Sequence, residues 1–156
     1  MKHRTGAGTL RRLLCLALML GLMLALGASA LAASAISYLD EDGVSRDCPS
    51  FTRVNGNTTA WNSGWYVVYD NVTVGSRITV SGAVNLILCD GVSLTVPNGI
   101  HLTGANSLTI WGQSGGTGAL VIESPDLDQA GIGGNARQSG GVFTMNGGTL
   151  TATGGE

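Results

Sequence analysis

The side chains of this 156-residue chain that can move protons are few and scattered. Asp70, Asp90, Glu123, Asp126 and Asp128 are the carboxylates of its apolar–threonine region. Hydrolysis of a glycosidic bond needs two carboxyl groups roughly 5–10 Å apart, flanking the bond. Asp70 and Asp90 fall at the ends of apolar runs, where turn formation accounts for them. Glu123, Asp126 and Asp128 cluster around Pro125, but their spacing is not that of a calcium loop. A lyase would add a basic residue, and Arg137 is the one near in sequence. Asp40-Glu41-Asp42-Gly43 is half of a calcium loop and reads better as a hairpin turn. His101, the one histidine beyond the first 35 residues, has no Cys, His or carboxylate beside it. Gly131-Ile132-Gly133-Gly134 lacks the lysine and following helix of a phosphate loop. No catalytic, metal or cofactor constellation emerges, and neither a cofactor nor a metal is expected.

The remaining chemistry is contact with a sugar. Apolar C–H faces of a pyranose pack on aromatic rings, and its hydroxyls need polar neighbours. If Leu108 and Ile110 point inward, Thr109 and Trp111 point outward by strand alternation. Trp111 beside Gln113 is therefore the candidate ligand-binding pair. The competing reading is that Trp111 covers a neighbouring side chain, since aromatic residues bury large areas. Cys48 and Cys89 are an even pair, for which a disulfide and two buried thiols both remain open.

The elements that must position these residues are strands. Triplets such as Ile78-Thr79-Val80, Leu86-Ile87-Leu88, Leu94-Thr95-Val96, Ile100-His101-Leu102 and Leu108-Thr109-Ile110 recur. Alternation with period two is the strand signal, and Ser81-Gly82, Asp90-Gly91 and Asn98-Gly99 are turn pairs between the triplets. A longer period lies above it. Ile78 and Val80 map onto Ile100 and Leu102 after 22 residues, Leu86 and Leu88 onto Leu108 and Ile110, and Ile100 onto Ile122. Phe143 follows Ile122 at nearly the same step. Such a repeat predicts an all-β chain wound as a right-handed parallel β-helix of about 22 residues per coil. An antiparallel sandwich with hairpins at the Asp-Gly and Asn-Gly pairs is the alternative.

Residues 1–35 read as a secretory signal peptide: a basic start, the run Leu13–Leu26, then small residues with cleavage after Ala35 or Ala32. Residues 36–64 read as an N-terminal hairpin and cap, with Trp61, Trp65, Tyr66 and Tyr69 over the first coil. Residues 65–156 read as the solenoid, truncated at its C-terminal end. If the chain does end at Glu156, its last strand edge invites self-association. Beyond position 35 the chain has four arginines, no lysine and ten acids. That balance excludes a nucleic-acid binder and disfavours an anionic membrane surface after signal cleavage.

Three stretches carry a resemblance: Gly64-Trp65-Tyr66-Val67-Val68, Val84-Asn85-Leu86-Ile87-Leu88-Cys89-Asp90-Gly91 and Asn106-Ser107-Leu108-Thr109-Ile110-Trp111-Gly112-Gln113. With the glycine-rich tail through Asn146-Gly147-Gly148, they resemble exported, glycine-rich bacterial surface proteins of carbohydrate-binding-domain-like or adhesin-like type. The resemblance covers most of residues 36–156. It implies a parallel β-helix-like module in the extracellular space or on the cell surface, and transfers no catalytic residue. The expected function is non-catalytic adhesion or glycan binding, with an extracellular glycan or a host or cell-wall surface as partner. A fragment of a β-helical polysaccharide lyase or hydrolase, or a structural spacer, are the alternatives.

Overall fold

The computed structural model describes residues 35–123 and 128–153. They lie within one compact unit, Ala33–Glu156. Residues 1–34, on which the signal-peptide expectation rests, and Asp126 fall outside the described residues. Every regular element described is a strand, and the chain is all-β with mostly parallel sheets. In chain order these are β1 (Ile36–Leu39), β2 (Ser45–Cys48), β3 (Thr52–Arg53), β4 (Ala60–Val68), β5 (Val72–Thr73), β6 (Ile78–Leu88) and β7 (Ser93–Val96). Then follow β8 (Ile100–His101), β9 (Ser107–Gly112), β10 (Ala119–Glu123), β11 (Ile132–Gly133), β12 (Val142–Met145) and β13 (Thr149–Thr153).

Among the described strands the sole antiparallel pair is β1–β2, closed through Asp42-Gly43 with Gly43 at φ 74°. Asp40 ties this turn: one carboxylate oxygen accepts from the Asp42 and Val44 backbone N–H groups, the other from Arg46 Nε at 2.8 Å. All other named strands pair in parallel. One ladder runs β5-β7-β10-β13. In the other sheet β3, β4, β6, β9 and β12 follow one another, and β8 and β11 extend from the first residues of β6. The Asp90-Gly91 and Asn98-Gly99 pairs therefore do not close hairpins; strands on either side of them pair with other parts of the chain.

Parallel pairing stacks like on like. Ile78 lies opposite Ile100 and Ile100 opposite Ile132. Val84, Leu108 and Phe143 form a second row, Leu86, Ile110 and Met145 a third, and Leu94, Leu120 and Leu150 a fourth. The alternating positions make these rows one continuous core. Each such aliphatic side chain contributes about 1.5–3 kcal/mol of transfer free energy. At the C-terminal edge the rows lose their cover: Leu150 is 37% exposed, while Leu94 and Leu120 are wholly buried.

The uniform step of 22 residues is corrected. It holds for Ile78↔Ile100 and Val72↔Leu94. Elsewhere Leu86 pairs with Ile110 rather than Leu108, and Ile100 with Ile132 rather than Ile122. Phe143 pairs with Leu108 and has no register with Ile122. The cause is extra chain between strands: residues 102–106 separate β8 from β9 where β6 runs on unbroken, the β9–β10 connection is longer than the β6–β7 one, and the β10–β11 connection is longer than the β7–β8 one, which lengthens the step between equivalent strands without changing which face is apolar. A parallel ladder tolerates such insertions because the crossover carries none of its hydrogen bonds.

The aromatic residues grouped over the first strands divide between two faces. The β4–β6 register shifts between Asn62 and Gly64. Trp61 and Tyr66, an odd number of residues apart, consequently both face the core, with ring centroids 5.5 Å apart, and Trp61 Nε1 donates to the Thr58 carbonyl. Trp65 and Tyr69 lie on the opposite face.

That outer face is the less usual part of the fold. Val67 and Ile87 are as deeply buried as Leu86 and Leu88, although strand alternation points them away from the main core. They form a second cluster with Cys48 and Cys89, completed by Ile36, Tyr38 and Phe51 from the hairpin segment. β4 and β6 are thus apolar on both faces. Ile87→Ala is expected to cost about 2–4 kcal/mol in denaturant unfolding, as much as Leu86→Ala. A cost below about 1 kcal/mol for Ile87→Ala would mean that water, not the hairpin, covers this face.

Candidate functional site

The outer face concentrates the aromatic side chains. Tyr38 of β1 meets Trp65 of β4 at 4.9 Å and Trp111 of β9 at 5.2 Å, and the two indoles lie 6.1 Å apart, nearly parallel. Trp111 therefore points outward, as alternation requires, but the hairpin shares its surface. Its Nε1 donates to Asn85 Oδ1 at 3.0 Å. Gln113 spends both ends of its amide nearby: Nε2 donates to the Ser37 carbonyl and Oε1 accepts from the Asp90 backbone N–H, each at 3.0 Å. The structure brings Trp111 and Gln113 together at the seat of the hairpin.

Cys48 and Cys89 enter the same cluster as separate buried thiols, with Cys48 Sγ 3.4 Å from the Ser50 carbonyl. Burial pushes both thiols above their ordinary pKa, and the Asp90 carboxylate adds to the rise at Cys89. A protonated, buried thiol is a poor nucleophile, so neither has the setting of a catalytic cysteine.

The carboxylates do not converge. Asp90 accepts from the backbone N–H groups of Gly115 at 2.8 Å and Thr117 at 3.1 Å, and fastens the 113–117 turn. Asp70 pairs with Arg53, whose guanidinium lies 5.2 Å over the Tyr69 ring. Glu123 ends β10, exposed, and Asp128 stands exposed on the next loop. His101 faces outward and its Nε2 lies 3.2 Å from Gln138 Oε1. Among the described residues no three His, Cys, Asp or Glu side chains could share a metal ion.

Among the described residues, two concavities stand out. The first, about 440 Å³, is a cup of mixed polarity formed by residues 128–140 around β11, where Ala130, Ile132 and Ala136 stand beside Asp128, Gln129 and Gln138. Its frame is fixed by Arg77, which bonds Gln129 Oε1 and the carbonyls of Ala130 and Gly133, and by Ala136 N–H donating to the Asp128 carbonyl at 2.7 Å. Arg137, at φ 65°, is the one non-glycine residue described with a left-handed backbone. The second, about 410 Å³, lies between Ser50-Phe51-Thr52 and Ser63-Gly64-Trp65. Its lining holds Phe51 and Trp65, three serine and threonine residues, and Tyr66, whose ring packs in the main core.

The sequence reading did not single out Ser50, Phe51, Thr52 or Ser63. The available signal was composition: Ser-Phe-Thr and Trp-Asn-Ser-Gly-Trp each combine a ring with hydroxyls, on segments that the β3–β4 pairing and the second apolar cluster bring together. Comparison with protein-family models, with curated proteins and with solved structures returned no match.

Two outcomes follow for the hairpin seat and the adjoining turn. Gln113→Ala removes the amide bridge to Ser37, so limited proteolysis is expected to cut within residues 36–50 several times faster than in the parent, with the strand circular-dichroism signal retained. An unchanged cleavage rate would show that the aromatic contacts alone hold the hairpin. For Asp90, the backbone N–H of Thr117, then that of Gly115, holds the carboxyl below its ordinary pKa of 3.8. A depressed carboxyl stabilises the fold fully above its unfolded pKa, and that contribution is lost as pH falls through the folded pKa. Thermal unfolding from neutral pH down to acid should therefore fall less steeply below about pH 4 in Asp90→Asn than in the parent. Parallel curves would remove Asp90 from the account.

Proposed function

We propose that this chain is an exported, non-catalytic β-solenoid module that binds carbohydrate at the cell surface or outside the cell. The solenoid reading is supported by strand order: three strand positions recur along the chain, and each pairs in parallel with its next occurrence. A right-handed parallel β-helix is the connection that this recurrence favours, since parallel crossovers are overwhelmingly right-handed. The leader-like sequence of residues 1–35 supports export.

The observation that carries the binding reading is the neutral, ring-and-hydroxyl character of the outward surface around β3, β4 and β9. Trp65, Thr109 and Thr144 project there with Asn85, while Asp70 and Asp90 are occupied by Arg53 and by the 113–117 turn. Neutral hydroxyl and amide groups beside aromatic rings suit glycan recognition. Scattered, occupied carboxylates do not suit glycosidic cleavage, which needs a facing pair. Ten acids against four arginines beyond position 35 also repel polyanions, which favours neutral over acidic polysaccharides.

The protein purified after export is to be titrated against neutral and acidic polysaccharides from cell walls, mucins and plants, with product analysis for new reducing ends. Saturable binding to a neutral polysaccharide, without cleavage, is the expected result. Folded protein that binds none of them would reject the carbohydrate reading, and released oligosaccharides would reject the non-catalytic one.

A further inference from the structure

We propose that the groove between Ser50-Phe51-Thr52 and Ser63-Gly64-Trp65 is a subsite for one neutral pyranose residue of a glycan; this rests on the carbohydrate-binding reading above. The groove's volume, about 410 Å³, falls within the range of roughly 300–1,000 Å³ typical of small-molecule sites.

Its lining selects the ligand class. No titratable carboxylate, amine, guanidinium or imidazole lines it. Arg53, next to Thr52 in β3, is paired with Asp70. An ionic ligand would be desolvated here without a counter-charge, which is costly. A wholly apolar ligand would cover the hydroxyls of Ser50, Thr52 and Ser63 without partners, which also costs free energy. The compatible molecule is uncharged, apolar on one face and hydroxylated at its rim.

The rings are set in advance. Trp65 is held from behind by Tyr38 and Trp111, and Phe51 rests against Tyr69 with centroids 5.8 Å apart. Both are partly buried. A ring already immobilised loses little further freedom when a sugar packs on it. The Ser63 hydroxyl accepts from the Ala83 backbone N–H at 3.2 Å, which fixes its position. Gly64 keeps the space between the walls clear. Its φ of 143° is one that side chains rarely adopt, and a Cβ built there has no atom within 4 Å, so any larger residue would both strain the chain and project into the opening.

The backbone adds a further polar edge. β3 pairs with Tyr66 and Val67 alone, so Ser63-Gly64-Trp65 has no strand neighbour on the β3 side. That edge offers further donors and acceptors to ring hydroxyls. The Trp111–Gln113 pair is differently placed, because its indole N–H and its amide are already engaged. In this reading Trp111 is a positioning residue for Trp65.

The test uses the exported protein and neutral hexasaccharides of glucose, xylose, mannose and galactose, with a uronic-acid hexasaccharide for comparison. Calorimetry gives affinity, and tryptophan emission reports on Trp65. Wild-type protein is expected to bind a neutral hexasaccharide with a change in emission. The double variant Ser50→Ala/Thr52→Ala alters two exposed hydroxyls without touching the core, and should weaken binding about fivefold or more. Phe51→Ala should weaken it about tenfold. Gln113→Ala, which loosens the hairpin, serves as the comparison for indirect effects and should change affinity less than Phe51→Ala. If wild type binds but the double variant and Phe51→Ala bind equally well, the groove is not the site and the carbohydrate reading stands. If only the uronic-acid probe binds, the neutral class is wrong. If the folded wild type binds none of the probes, the carbohydrate reading itself fails.

Discussion

Everything in this structure depends on strands pairing in parallel with an in-register copy of themselves further along the chain. That pairing places isoleucine over isoleucine and leucine over leucine. It satisfies the backbone and builds the core in one step, so the core needs no helix and little aromatic bulk. It also sets the tolerance of the fold. A turn can grow by several residues, as at 113–118, without disturbing an apolar row, whereas a shift by one residue within a strand would turn every core side chain outward. The carboxylate and amide groups of Asp90 and Gln113, and the Arg77 guanidinium, accordingly appear where turns must be fastened.

The second constraint is that β4 and β6 must be covered twice. Tyr66, Val68, Leu86 and Leu88 face the main core, while Val67, Ile87, Trp65 and Trp111 face the hairpin. The hairpin is rich in charge at its turn and contributes Ile36, Tyr38 and Cys48 at its base. Its function in the fold is to convert an otherwise wet apolar surface into a small dry cluster. The same arrangement fixes the rings at the edge of the candidate groove, so the hairpin and the groove are linked by a shared residue, Trp65.

Strand positions and the inward-facing residues were readable from alternation, and parallel stacking from the 22-residue step at Ile78 and Ile100. The step failed at Leu86 and Ile100 because turn length is set by surface residues that obey no apolar periodicity. The hairpin's seat was also written in the sequence, though less plainly. Leu86-Ile87-Leu88-Cys89 and Trp65-Tyr66-Val67-Val68 are unbroken apolar runs, and a strand apolar at every position is buried on both faces. Reading Leu86-Ile87-Leu88 as an ordinary alternating triplet hides that signal. The division of Trp61 from Trp65 was not legible, since it turns on the register shift near Gly64. The groove was not legible for a related reason: its two walls come from separate segments that meet through the brief β3 pairing and the second apolar cluster.

The hairpin's seat has an implication for the order of events as the chain folds. Its floor is assembled from Trp65, Ile87 and Trp111, and Gln113 reaches back 76 residues to Ser37. The hairpin leaves the ribosome early, yet its docking surface is complete only once β9 has been laid down. Until then Tyr38 and the apolar base of the hairpin wait in solvent, and so does the outer face of each strand as it is added. Closing so long a loop is slow relative to local pairing. Docking of the hairpin, nearly the first part of the described chain, thus has to wait for β9, and its apolar base and the outer face of β4 and β6 stay uncovered until then.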